Sequence, residues 1–161
     1  MSYDLSKPLV IGISSRALFN LEQENKIFEE QGVEAYEAYQ VAHENEILQK
    51  GAAFQLIKAF LKLNNTGLGR LVEVIIMSRN NANTCLRIFN SIQYYGLDIT
   101  RATLTSGAEI APYLKAFKTD LFLSANSVDV QSAINDGIAA GLILTGAAHA
   151  DAKQKIDQIR I

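Results

Sequence analysis

The spacing of apolar and polar positions changes several times along the chain, and each change marks an element. Leu9-Val10-Ile11-Gly12-Ile13 is a short, wholly apolar run after Pro8, the pattern of a strand buried on both faces. A polar loop, Ser14-Ser15-Arg16, follows at once. Residues 21–30 and 33–46 are rich in Glu, Ala and Gln and poor in β-branched side chains, which predicts two helices separated at Gly32. After Gly51, the side chains Phe54, Ile57, Phe60 and Leu61 fall at three- and four-residue spacing, with Lys58 and Lys62 elsewhere on the cylinder. That is an amphipathic helix, ended by Asn64-Asn65-Thr66-Gly67.

The second half alternates more regularly. Residues 72–77 predict a strand and 82–95 a helix, with Cys85, Ile88, Phe89 and Ile92 on one face and Gly96 at the C-cap. A short strand at 102–104, a short helix at 110–117, a strand at 120–123, a helix at 128–135 and a last buried strand at 138–144 complete the pattern. Apolar strands alternating with helices imply a mainly parallel sheet covered on both faces, hence an α/β, Rossmann-like three-layer sandwich. The expected domain is 1–146, with 147–161 a polar tail or linker.

Composition narrows the function classes. The 161 residues suit one domain, and 48% hydrophobic content can fill a core. Lys+Arg 15 against Asp+Glu 17 leaves no basic excess, so no nucleic-acid partner is expected. No stretch reaches the roughly 18 apolar residues of a membrane span, and Met1 to Val10 has neither the charge nor the apolar run of a signal peptide. Cys85 is the one cysteine, so no intrachain disulfide can form, and a cytoplasmic setting is the simplest reading.

Ligands of open parallel sheets bind at the carboxyl ends of the strands. Three such ends carry polar residues: Ser14-Ser15-Arg16, Ser78-Arg79-Asn80-Asn81 and Ser124-Ala125-Asn126. Hydroxyls, amides and guanidinium groups beside helix N-termini suit an anion. The plainer reading is that such loops cap helices. Two histidines and one cysteine make a zinc cluster improbable. The first strand is not followed by Gly-x-Gly-x-x-Gly, and Gly67-Leu68-Gly69 precedes a strand, so a dinucleotide site has little support. His43 reads as a turn residue or part of a cap, His149 as inert, and Cys85 as core. The Tyr94-Tyr95 pair reads as a core edge or oligomer contact before it reads as a base-stacking platform.

Several motifs recur together in one family. Ile13-Ser14-Ser15-Arg16-Ala17-Leu18-Phe19, Ala42-His43-Glu44-Asn45-Glu46, Ile76-Met77-Ser78-Arg79-Asn80, Phe89-Asn90-Ser91-Ile92 with Tyr95-Gly96-Leu97, and Tyr113-Leu114-Lys115-Ala116-Phe117 with Leu121-Phe122-Leu123-Ser124-Ala125 stand in this order. Together they resemble the N-terminal half of the cytosolic 5'-nucleotidases, over about residues 9–144. The resemblance implies a haloacid-dehalogenase-like fold with residues 19–50 as a small helical cap insertion. It implies a family that hydrolyses nucleoside 5'-monophosphates with Mg²⁺ through an aspartyl-phosphate. The family protein has two related halves. The catalytic half carries Asp-x-Asp on its first strand; the partner half carries Ser-Ser-Arg, as here.

Within that resemblance no catalytic residue is expected in this chain. Ser14 stands for the nucleophile and Arg16 for the acid–base carboxylate, while Ser124 and Ala125 replace the acidic metal loop. A serine without a base is a weak nucleophile, and Mg²⁺ wants carboxylate oxygens where Arg16 puts a fixed positive charge. No cofactor is therefore expected for this chain, although Mg²⁺ belongs to the family. Ser14, Ser15, Arg16, Ser78, Arg79, Asn80 and Lys115 remain candidates for phosphate or nucleotide binding. The third-motif lysine corresponds to Ile110 in one register and to Lys115 in another.

Two functional readings stay open. One is a 5'-nucleotidase whose activity resides in a longer protein, this chain alone being inactive or nearly so. The other is a binding or assembly module, taking a nucleoside monophosphate or phosphate, docking on a catalytic half, or pairing as a homodimer. Gln158-Ile159-Arg160-Ile161 resembles the segment entering the first strand of the catalytic half. That fits a truncated or split nucleotidase as well as a complete, shortened homologue.

Overall fold

A computed structural model describes residues 7–146. The expectations for the N-terminal residues before Lys7, the polar tail at 147–161 and His149 lie outside the described residues. Five strands form one all-parallel sheet: β1 (Leu9–Ser14), β2 (Val72–Ser78), β3 (Arg101–Leu104), β4 (Leu121–Ser124) and β5 (Ala139–Leu142), in the order β3-β2-β1-β4-β5. The helices are α1 (Ser15–Leu18), α2 (Glu22–Ala42), α3 (Phe54–Lys62), α4 (Leu86–Tyr94), α5 (Ala111–Ala116) and α6 (Ser127–Asn135), with a 3₁₀ turn at Leu63–Asn65. This is the α/β sandwich that the alternating pattern implies.

β2 shows why both faces are apolar. Successive side chains of a strand point to opposite faces. Val74 and Ile76 join Ile11, Ile13, Ile57, Phe60 and Ile88 on one side, while Ile75 and Met77 join Val10, Ile110, Leu114, Phe122 and Ala133 on the other. Helices α3 and α4 cover the first face, and α5 and α6 the second. Burial of Val10, Ile11, Ile13, Val74, Ile75 and Ile76 is complete, worth about 2 kcal/mol per side chain. The polar side chains within β2 are Glu73, which is buried and paired with Arg70 and Arg101, and Ser78 at its carboxyl end.

Three sequence expectations need correction. The last strand is not buried: Ala139 and Leu142 are exposed, because β5 lies at the sheet margin with β4 on one side only among the described residues. The helix expected over 82–95 begins at Leu86, because Asn81 takes the backbone N–H and hydroxyl of Thr84 and holds the preceding residues in turns. The helix expected over 33–46 stops at Ala42, with His43 as its C-cap. The break expected at Gly32 is present: its φ of 86° and ψ of −177° interrupt α2.

The excursion between β1 and α3 is pinned where it leaves and returns. Phe19 and Lys50 form an antiparallel bridge. The Gly51 N–H donates to Leu18 O at 2.9 Å, and Ala53 N–H to Ala17 O at 3.0 Å. Among the described residues no helix is long and apolar enough to cross a membrane.

Candidate functional site

β1 lies between β2 and β4 and all three run the same way, so their carboxyl ends open on one edge of the sheet. The structure thus brings the Ser14, Ser78 and Ser124 loops together. Ser15 Oγ lies 3.4 Å from Ser78 Oγ, both buried. The Ala125 N–H donates to Ser14 Oγ across the β1–β4 boundary at 3.2 Å.

The local chemistry of the three loops is alike. Ser14 is the N-cap of α1 and accepts the Ala17 N–H at 3.3 Å, the usual task of a serine in that place. Ser78 Oγ accepts the Asn80 N–H at 3.2 Å, and Ser124 Oγ the Asn126 N–H at 3.1 Å, hydroxyl-closed turns two residues wide. Asn126 then caps α6, its Oδ1 accepting from Val128 and Asp129 N–H groups. Backbone N–H groups at a strand-to-helix junction are what an anion would seek. Here Ser14 Oγ already holds two of them, from Ala17 and Ala125.

The cations are matched as well. Arg16 pairs with Glu22 through Nε at 3.3 Å and Nη2 at 3.4 Å. Burial pushes the Glu22 carboxyl up, but a hydrogen bond with Thr145 and the Arg16 guanidinium outweigh it and leave the group below its ordinary value. Arg79 pairs with the buried Asp129 on α6. Asn80 accepts a hydrogen bond from the Tyr36 hydroxyl at 3.1 Å, and Asn81 donates to Glu37.

The donor set does not fit Mg²⁺. Where carboxylate oxygens are needed, the edge offers the Ser14 hydroxyl, the Arg16 guanidinium, the Ser124 hydroxyl and the Ala125 methyl. Among the described residues no three His, Cys, Asp or Glu side chains gather as a metal site. Of the carboxylates beside the loops, Glu22 and Asp129 are each engaged by an arginine and Glu37 accepts from Asn81.

Lys115 is not brought to this edge. It ends α5 and pairs with Asp136, at the C-cap of α6, at 3.3 Å. Both helix ends lie toward the amino ends of the strands, since each helix runs back against its strand. Ile110, the other register for the motif lysine, is the N-cap of α5 and is buried in the core. His43 stacks on Tyr39 at 3.9 Å with Nδ1 2.7 Å from the Tyr39 carbonyl, so it closes the end of α2. Tyr95 packs on Phe19 and Phe54 and donates to Leu48 O at 2.9 Å, whereas Tyr94 is exposed. Burial pushes the Cys85 thiol up to about 11, against hydrogen bonds with Ser78 and Asn80.

The sequence reading missed Asp129, Tyr36, Glu24 and Arg87. Asp129 had a local signal, because an Asn cap followed three residues later by an acid is a helix-start pattern. The other three meet their partners only through the tertiary fold.

Ser14→Ala removes the acceptor for two N–H groups. It is expected to cost about 1–2 kcal/mol, read as a lower denaturant midpoint at unchanged slope. An unchanged midpoint would mean that the two N–H groups are not held by Ser14.

A family model described as 5'-nucleotidase matches residues 1–161. The chain belongs to the 5'-nucleotidase family. It is 40% identical over 146 residues to cytosolic 5'-nucleotidase 1B of Homo sapiens, covering 86% of this chain and 24% of that protein. The chain therefore spans about a quarter of the length of this human relative. No solved structure matches it.

Proposed function

We propose that this chain is the non-catalytic, haloacid-dehalogenase-like module of a cytosolic 5'-nucleotidase, with no phosphohydrolase activity of its own. In the longer protein, nucleoside 5'-monophosphates would be cleaved with Mg²⁺ by carboxylates that another segment supplies. This module would contribute scaffold and a docking surface, in the cytosol named for the human relative.

One observation carries the reading. The place of the nucleophile is taken by Ser14, whose oxygen is engaged as acceptor for Ala17 and Ala125 N–H groups. A hydroxyl becomes a useful nucleophile only beside a base that takes its proton. The closest charged neighbour in sequence, Arg16, cannot do so and is paired with Glu22. The same self-satisfied loops favour docking over tight phosphate binding, because an anion would have to displace internal hydrogen bonds.

The test is phosphate release from AMP by the pure chain with Mg²⁺. The expected rate equals the protein-free background and does not change in Ser14→Ala. Turnover well above background that is lost in Ser14→Ala would overturn the proposal.

A further inference from the structure

α2 is two arms, not one rod. Phe28 and Tyr36 meet edge to face at 6.0 Å between ring centroids, although eight residues of straight helix rise about 12 Å. Glu24 and Gln40 would be separated by about 24 Å along a straight helix, yet both reach one guanidinium. Arg87 Nη1 donates to Glu24 Oε1 at 2.5 Å and to Gln40 Oε1 at 3.4 Å. The fold-back occurs at Gly32, whose φ of 86° is open to glycine and costly for a side chain. Beyond the adjoining backbone, nothing lies within 4 Å of the point where a Cβ would stand there, so backbone conformation rather than crowding calls for glycine.

What holds the arms to the body is unusual. The buried residues of α2 are Glu24 and Gln40, both polar, while Phe28, Val33 and Val41 are exposed at 47%, 55% and 49%. Apolar burial, which fastens most helices, is therefore weak here. In its place stand Arg87 on Glu24, Gln40 and the Glu46 carbonyl at 2.9 Å. A second set joins the outer arm to the strand edge: Gln40 donates to the Tyr36 hydroxyl at 3.1 Å, Tyr36 to Asn80, and Asn81 to Glu37. One connected polar chain runs from the buried Glu24–Arg87 pair to the loop after β2.

We propose that α2 is a two-armed lid hinged at Gly32 and latched shut over the Ser78–Asn81 loop by Arg87. A segment held by few apolar contacts opens below the free energy of global unfolding. Removing one partner of a buried ion pair leaves a charge without its counterion, so the latch rather than the sheet sets how often the lid opens. Opening would uncover Asn80 and Asn81 while β1 and β2 stay paired.

Amide hydrogen exchange on the full chain tests this, in the unmodified protein, in Arg87→Met, and in the double variant Glu24→Gln/Arg87→Met, which leaves no buried charge at the latch. In the unmodified protein, amides of 22–42 should exchange faster than those of β1 and β2. In both variants the 22–47 segment should exchange about tenfold faster or more, with β1 and β2 unchanged. Equal protection of α2 and β2 in the unmodified protein would overturn the proposal, whatever the variants do. So would an unaltered α2 in the folded double variant, or acceleration spread evenly over lid and sheet.

Discussion

Gly51→Ala is expected to lower the melting temperature by about 10 °C, from a cost of about 3 kcal/mol in a chain of this size. A Cβ at this position would stand 2.7 Å from the Phe19 carbonyl carbon and 2.8 Å from both Ala17 O and Leu18 C. All three are backbone atoms, so no rotamer change can relieve the overlap. Either the 17–19 segment or the 50–53 segment must move, and Gly51 N–H to Leu18 O and Ala53 N–H to Ala17 O bind the two together. Because Ala17 donates to Ser14, the shift also reaches the strand edge. Thermal unfolding followed by circular dichroism reads the effect. A melting point within about 2 °C of the parent, below the shift expected for 1 kcal/mol, would show that the close approach is not real.

Phe19→Ala should be at least as damaging, at about 3–5 kcal/mol. Phe19 is fully buried and packs against Phe54 at 6.2 Å and Tyr95 at 6.2 Å between ring centroids. It leaves the loop after α1 and drives its ring between α3 and α4, so it anchors the start of the excursion to the core. The cavity cannot close easily, since the Phe19–Lys50 bridge holds the backbone on one side and Tyr95 is tied to Leu48 O on the other. Urea titration should show a much lower midpoint, whereas a Leu replacement, which keeps most of the volume, should recover a large part of it. Equal loss in Ala and Leu would point to something other than packing.

How far the sequence could be read follows from how local each cause is. β1 and β2 were legible because Leu9–Ile13 is wholly apolar and Val72–Met77 is apolar apart from Glu73, the pattern of strands covered on both faces. The kink at Gly32 was legible because no other residue there supplies a positive φ so readily. The burial of β5 was misjudged because Ile138–Leu144 is as apolar as β4. What differs is its place at the sheet margin, which is a matter of strand order. At the edge, three serines in three strand-end loops were visible as candidates, and the structure does collect them. Helix capping was already the plainer reading of such loops, and Ser14 does cap α1; its second bond was not visible, since Ser14 meets Ala125 across 111 positions. Lys115 was a candidate through one of two registers for the third-motif lysine of the resemblance, and its helix carries it to Asp136 instead. The Arg87 contacts had no sequence trace, because Glu24 and Gln40 approach one another only after the fold-back.

The hydroxyl of Ser14, the paired Arg16 and Arg79 and the engaged Ala17 and Ala125 N–H groups support the proposal that this strand edge does not work as a magnesium phosphotransferase. Amide chemical shifts of Ala17 and Ala125, followed by NMR while Mg²⁺ and AMP are added together to the full chain, test this most directly. The account predicts no saturable change at either amide up to millimolar concentrations. Saturable, metal-dependent shifts at both, abolished in Ser14→Ala, would place a working phosphate site beside Ser14 and contradict it.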